Sequence, residues 1–135
     1  MRLAIVIGAV ALGGCVSASA DMQRGRDAAQ TREAAELARA LDGRVAGTPQ
    51  NCISNMSASG PQIIGERTLL YRQGGKVWRN DLPESCPGLD DDDLLVIEIH
   101  GSQLCRNDRF RADSRMSVVP GPSCRLGSFT PYTKR

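Results

Sequence analysis

Residues 68–81 read TLLYRQGGKVWRND. Two runs that suit a pleated strand flank Gly74-Gly75, the pattern of a β-hairpin closed by a two-residue turn. Glycines supply the positive φ values that a primed turn demands. This register sets Tyr71 opposite Trp78 and Leu70 opposite Arg79. An aromatic pair across two strands adds about 0.5–1 kcal/mol beyond area burial. Trp78 is the only tryptophan in a chain with 4% aromatics, so it is expected in the core rather than as an exposed ligand platform. The five aromatic residues, Tyr71, Trp78, Phe110, Phe129 and Tyr132, all follow residue 70, and the core is expected there.

Beyond the hairpin, residues 82–88 (LPESCPG) are too rich in turn formers for a central strand. Asp90–Asp93 is a run of four acids without the alternating oxygen ligands of a calcium loop, and reads as a solvated loop. Leu94–His100 reads as a strand. Leu95, Ile97 and Ile99 share one face, and Val96, Glu98 and His100 share the wetter one. His100 has no nucleophile or ligand partner visible in the spacing, which argues against catalysis there. Phe110, Ala112, Met116 and Val118 then alternate with Arg109, Arg111, Asp113, Arg115 and Ser117, a period of two over ten residues. One face is apolar and the other carries Arg109, Arg111 and Arg115. Ser114 on the apolar side suggests a bend or a strand edge. Pro120-Gly121-Pro122 ends the pattern. Cys124–Phe129 is expected as the last short strand, closed by Pro131.

Upstream, residues 44–66 are punctuated by Gly, Pro and Ser and read as loop. Asn55-Met56-Ser57 matches a glycosylation acceptor by chance. Residues 27–42 (DAAQTREAAELARALD) are strong helix formers. Ala34, Leu37, Ala38 and Leu41 fall on one helical face, and Glu36 can pair with Arg32 and Arg39. Gly43 stands where a helix C-terminal glycine belongs. Two leucines are too few for a coiled-coil seam, so the helix reads as a tether or a lightly anchored layer.

Met1–Ala20 reads as an export signal. An apolar run, Leu3–Leu12, follows Arg2 and is well short of the roughly 20 residues that cross a bilayer. Two cleavage sites compete. Leu12-Gly13-Gly14-Cys15 resembles a bacterial lipobox, in which Cys15 becomes the lipidated first residue. Ala18-Ser19-Ala20 resembles an ordinary site, which leaves a soluble periplasmic protein. With Val16 and no Asp after the cysteine, the lipobox reading implies a membrane lipid anchor in the outer membrane.

Four cysteines remain: Cys52, Cys86, Cys105 and Cys124. Widely spaced in a short exported chain, they read as two disulfides. There is no C-x-x-C and a single histidine, so zinc and thioredoxin-like chemistry have little support. Three pairings are open. The expected one joins Cys86 to Cys105 and Cys52 to Cys124. The strand between Cys86 and Cys105 spans roughly 23 Å at 3.3 Å per residue, and the residues around Asp90–Asp93 can make the return. Cys52–Cys124 would then tie the first and last strands together, as closing a small barrel requires. The rival pairing staples Cys52 to Cys86 and Cys105 to Cys124.

The chain has 135 residues, 41% hydrophobic and 24% charged, with a net charge of +2. That suits one globular domain and excludes a strongly polyanion-binding chain on bulk charge. Charge is segregated: residues 81–105 hold seven acids and no Lys or Arg, whereas residues 106–135 carry a net +5. Arg109, Arg111 and Arg115 are therefore a candidate face for an anionic envelope component, against the alternative that acidic and basic strands satisfy each other. Nucleic acid fits poorly, because the aromatics are not interleaved with the basic residues. There is no phosphate-cradling glycine loop, no G-x-S-x-G and no H-E-x-x-H, and no cofactor is called for. Asp81 and Glu84 are the one acid pair with any appeal for glycoside chemistry, which needs carboxylates about 5–10 Å apart.

GRVAGTPQNCI (43–53), RTLLYR with WRNDLPESCPGL (67–89), GSQLCRNDRF (101–110) and CRLGSFTPY (124–132) together resemble a family of small, uncharacterised exported envelope proteins of proteobacteria, many of which begin with a lipobox. The resemblance covers about two thirds of the chain and includes the four cysteines. It implies an envelope location and paired cysteines, and it brings no catalytic residues.

The expected architecture is mainly β: a small antiparallel sheet or barrel-like domain over residues 44–135, preceded by a helix or tether at 21–43 and a signal at 1–20. The expected function is a non-enzymatic structural or interaction module, such as an inhibitor or accessory protein of an envelope enzyme. A hydrolase of envelope polymers and a small-ligand carrier are the alternatives.

Overall fold

The structure is a computed structural model that describes residues 15–55 and 60–135. One helix, α1 (Cys15–Ala40), precedes ten short strands: β1 (Arg44–Ala46), β2 (Cys52–Ser54), β3 (Gln62–Ile64), β4 (Thr68–Gln73), β5 (Lys76–Asp81), β6 (Leu94–Ile97), β7 (Gln103–Cys105), β8 (Arg109–Asp113), β9 (Ser123–Arg125) and β10 (Phe129–Lys134). All pairings are antiparallel. A five-stranded sheet runs β1-β10-β5-β4-β3, a three-stranded sheet β6-β8-β9, and a two-stranded sheet β2-β7. The mainly β class with one N-terminal helix is as the sequence predicts.

The β4–β5 hairpin is the centre of the molecule, and its register places Tyr71 against Trp78 and Leu70 against Arg79. Only Gly74 takes a positive φ, 57°. That single left-handed residue at the first turn position fits a II′ turn. Both faces of the hairpin are covered. Leu69, Tyr71 and Trp78 join Ile53, Leu82, Leu104, Phe110, Leu126 and Phe129 in the main core. Leu70 and Val77 face the other way, with Ile64, onto Leu37, Ala40 and Leu41 of the helix end. Coverage on two sides explains why Thr68–Tyr71 is an unbroken buried run rather than an alternation. Each fully buried Leu or Phe contributes about 1.5–3 kcal/mol.

The helix begins twelve residues earlier than its strongest sequence signal, at Cys15, and residues 18–28 are wholly exposed. Its contact face differs from the expected one. Ala34 and Ala38 are exposed, while Leu37, Ala40 and Leu41 pack on the sheet. Glu36 accepts a hydrogen bond from Gln62 Nε2 at 2.8 Å rather than pairing with Arg32 or Arg39, whose Nε atoms donate to helix carbonyls. The helix thus turns Leu37, Ala40 and Leu41 to the sheet and leaves Ala34 and Ala38, which offer little area to bury, in solvent. Gly43 has φ 66°, as a C-terminal glycine should.

Three further expectations are corrected. The segment 44–66, read as loop, contains β1, β2 and β3. Pro131 does not close the last strand but lies inside β10, opposite Trp78. Its carbonyl accepts from Gly47 N at 2.7 Å, just beyond the end of β1. The missing N–H faces the same chain, but beyond Ala46↔Tyr132, the last rung of the β1–β10 ladder, so it interrupts no rung there and the proline is tolerated. The strand from Leu94 ends at Ile97, so Glu98 and His100 lie in the irregular chain beyond it.

The disulfides join Cys52 to Cys105 and Cys86 to Cys124, neither the expected pairing nor its rival. Because β6 stops at Ile97, the chain does not double back to Cys86. It continues to β7, where Cys105 is the register partner of Cys52, with Cα atoms 4.0 Å apart. Cys86 is fully buried in the main core and meets Cys124 of β9 at a Cα separation of 5.9 Å. The cysteines are thus used as expected but paired by the packing of three sheets rather than by closure of a barrel. The loops they close hold 53 and 38 residues, for which the chain-entropy model gives roughly 4 kcal/mol each.

Candidate functional site

Strand β8 presents its alternation as predicted through Asp113. Phe110 and Ala112 point inward at 1% exposure, and Arg109 and Arg111 are exposed. The pattern fails beyond that point. Leu94–Asp113 is the last rung shared with β6, and Arg115 turns aside, its Nε donating to the Asp92 carbonyl at 3.0 Å. Arg115 is therefore not on the strand face, and Met116 and Val118 do not point inward. Met116 is 95% exposed, Val119 68% exposed, and Val118 lies entirely in solvent.

The arginine row is heterogeneous. Arg111 forms a two-pronged pair with Asp113, Nε–Oδ1 2.7 Å and Nη2–Oδ2 2.8 Å. That guanidinium holds the Asp113 carboxyl below the usual carboxylate range, and Gly121 N adds a hydrogen bond. Asp113 in turn raises Arg111. Acid and base thus satisfy each other at this rung. Arg109 stands directly across the β8–β9 ladder from Arg125, and neither has an ion-pair partner among the described residues. On the same outer face Leu94 and Val96 are about half exposed. The hairpin therefore carries a band of arginine behind an apolar tip, residues 116–119.

Asp81 and Glu84 are not brought together. Asp81 Oδ1 accepts from Thr68 Oγ1 at 3.1 Å and from Arg79 Nε at 2.9 Å. Glu84 lies on a groove of about 670 Å³ with Pro83, Pro87, Asn107, Pro122 and Arg125, and Asp81 does not line it. His100 is exposed in a bend. Among the described residues no three His, Cys, Asp or Glu side chains gather as metal ligands do. The Asp90–Asp93 run binds its own backbone, Asp90 N to Asp93 Oδ2 and Asp91 N to Asp90 Oδ1. The Cys15 side chain, residues 1–14 and most of Asn55-Met56-Ser57 lie outside the described residues.

Sequence reasoning missed two polar features. Asn80 is fully buried and bonds Gly127 twice; in sequence it looks like a polar strand end. Arg44, Lys76 and Lys134 line one shallow cleft, assembled by the β1–β10 pairing, which no local pattern announces. No protein-family model, curated protein or solved structure matches the chain. The two disulfides fit an oxidising, exported environment. No helix among the described residues is long and apolar enough to cross a membrane.

Proposed function

We propose that the chain is an exported envelope protein that works by binding a partner protein, not by catalysis. In this reading it is held to the outer membrane by lipid on Cys15, with the exposed part of α1 as its stalk. The resemblance to small exported envelope proteins supports that placement. The observation that carries the binding role is the 116–119 loop. Met116 and Val118 held in water, with Val119 about two thirds exposed beside them at one hairpin tip, mark an interaction surface, and the arginines behind it provide a polar rim. The partner is an envelope protein, of the kind an inhibitor or accessory subunit engages.

A photo-crosslinking residue at Val118, in intact envelopes, tests this against the same residue at Val45 on the far edge strand. A discrete adduct from position 118 alone is expected, lost when Met116 and Val119 become serine. Equal labelling from both positions, or no adduct, removes the reading. Metabolic labelling with a fatty-acid analogue tests the anchor. A mature N-terminus at Asp21 without label would leave a soluble periplasmic protein.

A further inference from the structure

Strand β6 is the outer strand of the β6-β8-β9 sheet, and its register on β8 decides which backbone groups it leaves over. Glu98 N donates to the Arg109 carbonyl. Alternation then makes Val96–Arg111 and Leu94–Asp113 the bonded rungs. The far side of β8 agrees, since Ala112 N donates to the Pro122 carbonyl there. The N–H and C=O groups of Leu95 and Ile97 therefore point away from β8, and no backbone partner meets them among the described residues. Folded proteins guard such an edge with prolines, charges or a covering segment, and Leu94–Ile97 contains neither a proline nor a charge. The inward side of the strand adds a socket. Leu95 and Ile97, with Ile99 just past them, line a pocket of about 210 Å³ against Pro61, Tyr71 and Leu104.

We propose that a partner protein adds an extended segment to this edge, with one apolar side chain in the pocket and basic residues beside Asp90–Asp93. In strand addition, main-chain bonds give affinity and pockets for alternate side chains give specificity. The flanking charges choose the occupant. The acid run precedes β6 and Glu98 follows it, and none of these carboxylates has an ion-pair partner among the described residues. Antiparallel pairing with β6 of a second copy would set the acid run of each chain alongside Glu98 of the other. Like charges across strands destabilise a pair, whereas a segment carrying Lys or Arg is attracted. Arg115, the residue before the tip loop, donates to the Asp92 carbonyl, so the acid run lies beside residues 116–119. The inference rests on the reading of the chain as a protein-binding module and adds the form of the bound segment.

The probe is a phage-displayed library of random linear peptides, selected on the full chain in its exported form with both disulfides intact. Enriched sequences are expected to combine Lys or Arg with apolar residues at every second position. A synthetic copy of the most enriched one should slow amide exchange at Leu95 and Ile97 about tenfold or more. Exchange at Val96, already bonded to Arg111, should stay as it is. Ile97→Pro deletes a free-edge donor without breaking a rung to β8 and should abolish binding. Asp91→Lys with Asp92→Lys should weaken it about tenfold at low salt, with thermal unfolding unchanged. No enrichment, no protection at Leu95 and Ile97, or full binding by folded Ile97→Pro overturns the proposal. If Ile97→Pro does not fold, the exchange pattern of the unaltered chain decides. Unchanged affinity in the lysine double variant overturns the basic character of the partner. Protection at the edge with no adduct from position 118 removes the tip reading alone, and an adduct without protection removes the edge alone.

Discussion

The side-chain amide of Asn80 exchanges two hydrogen bonds with the backbone of Gly127, Nδ2 to the carbonyl and the Gly127 N–H to Oδ1, both 2.8 Å. Both residues are buried. The amide stands in for a backbone partner at Gly127, while the neighbouring Leu126 is bonded to Asn107 and Asp108. A side chain at 127 would not fit, because a Cβ there would fall 1.9 Å from the Asp81 carbonyl oxygen. Asn80→Ala strands a buried donor and a buried acceptor at about 1–3 kcal/mol each. A loss of about 2–4 kcal/mol is expected from urea unfolding. A change below about 0.5 kcal/mol would mean that water or another group replaces the amide.

Tyr71 makes the opposite prediction. Its ring packs edge-on to Phe129, with centroids 5.9 Å apart. Its hydroxyl is buried without a hydrogen-bond partner among the described residues. Burial also pushes its ionisation well above the usual tyrosine range. Tyr71→Phe keeps the ring contact and removes a polar atom buried at a cost of about 1–3 kcal/mol. Denaturation midpoints should therefore rise, or at least not fall.

Acid should loosen the turn that delivers Cys86 to its partner. Glu66 accepts from Gly88 N at 3.0 Å and from the Ser85 hydroxyl at 2.8 Å, and these bonds, Gly88 foremost, lower its carboxyl. A depressed carboxyl contributes stability above its unfolded-state value and loses it as pH falls through the folded value. Asp113 acts in the same direction through Arg111. Asp91, raised chiefly by its bond with Asp90, acts in the opposite one. Glu66→Gln should flatten the acid limb of a stability-against-pH curve and leave neutral pH lower. Superimposable curves would count against the turn contact.

Non-reducing peptide mapping should return one fragment joining Cys52 to Cys105 and one joining Cys86 to Cys124. Removing either pair as serines should cost about 2–5 kcal/mol. A Cys52–Cys86 fragment from folded protein would contradict the three-sheet packing.

What could be read in the sequence follows how local its cause is. Turn chemistry at Gly74-Gly75 sets the Tyr71–Trp78 rung without help from elsewhere, and alternation places Phe110 and Ala112 inward because one face of β8 meets a core. Met116 and Val118 continue the same period by coincidence. Nothing in composition says that β6 ends its pairing at Asp113 and leaves them uncovered. The cysteine pairing, the Asn80 amide and the Arg44–Lys134 rung all depend on segments far apart in sequence. Their partners are fixed only when the sheets stack. The signal that was present for Asn80, a polar residue two positions past a tryptophan on the same core-facing side, is indistinguishable from a strand end.

The two cross-links interleave: each closes a loop that encloses one cysteine of the other. Synthesis proceeds from the N-terminus, so Cys52 and then Cys86 emerge while both of their true partners are still to come. The first bond available to an oxidant is therefore a wrong one, and no fragment short of Cys124 can hold the native set. A chain oxidised while it emerges reaches the native set only through bond exchange, whereas one oxidised after Cys124 is available can form both bonds directly. Yield by the first route should depend on the capacity to reshuffle thiols in the compartment that receives the chain.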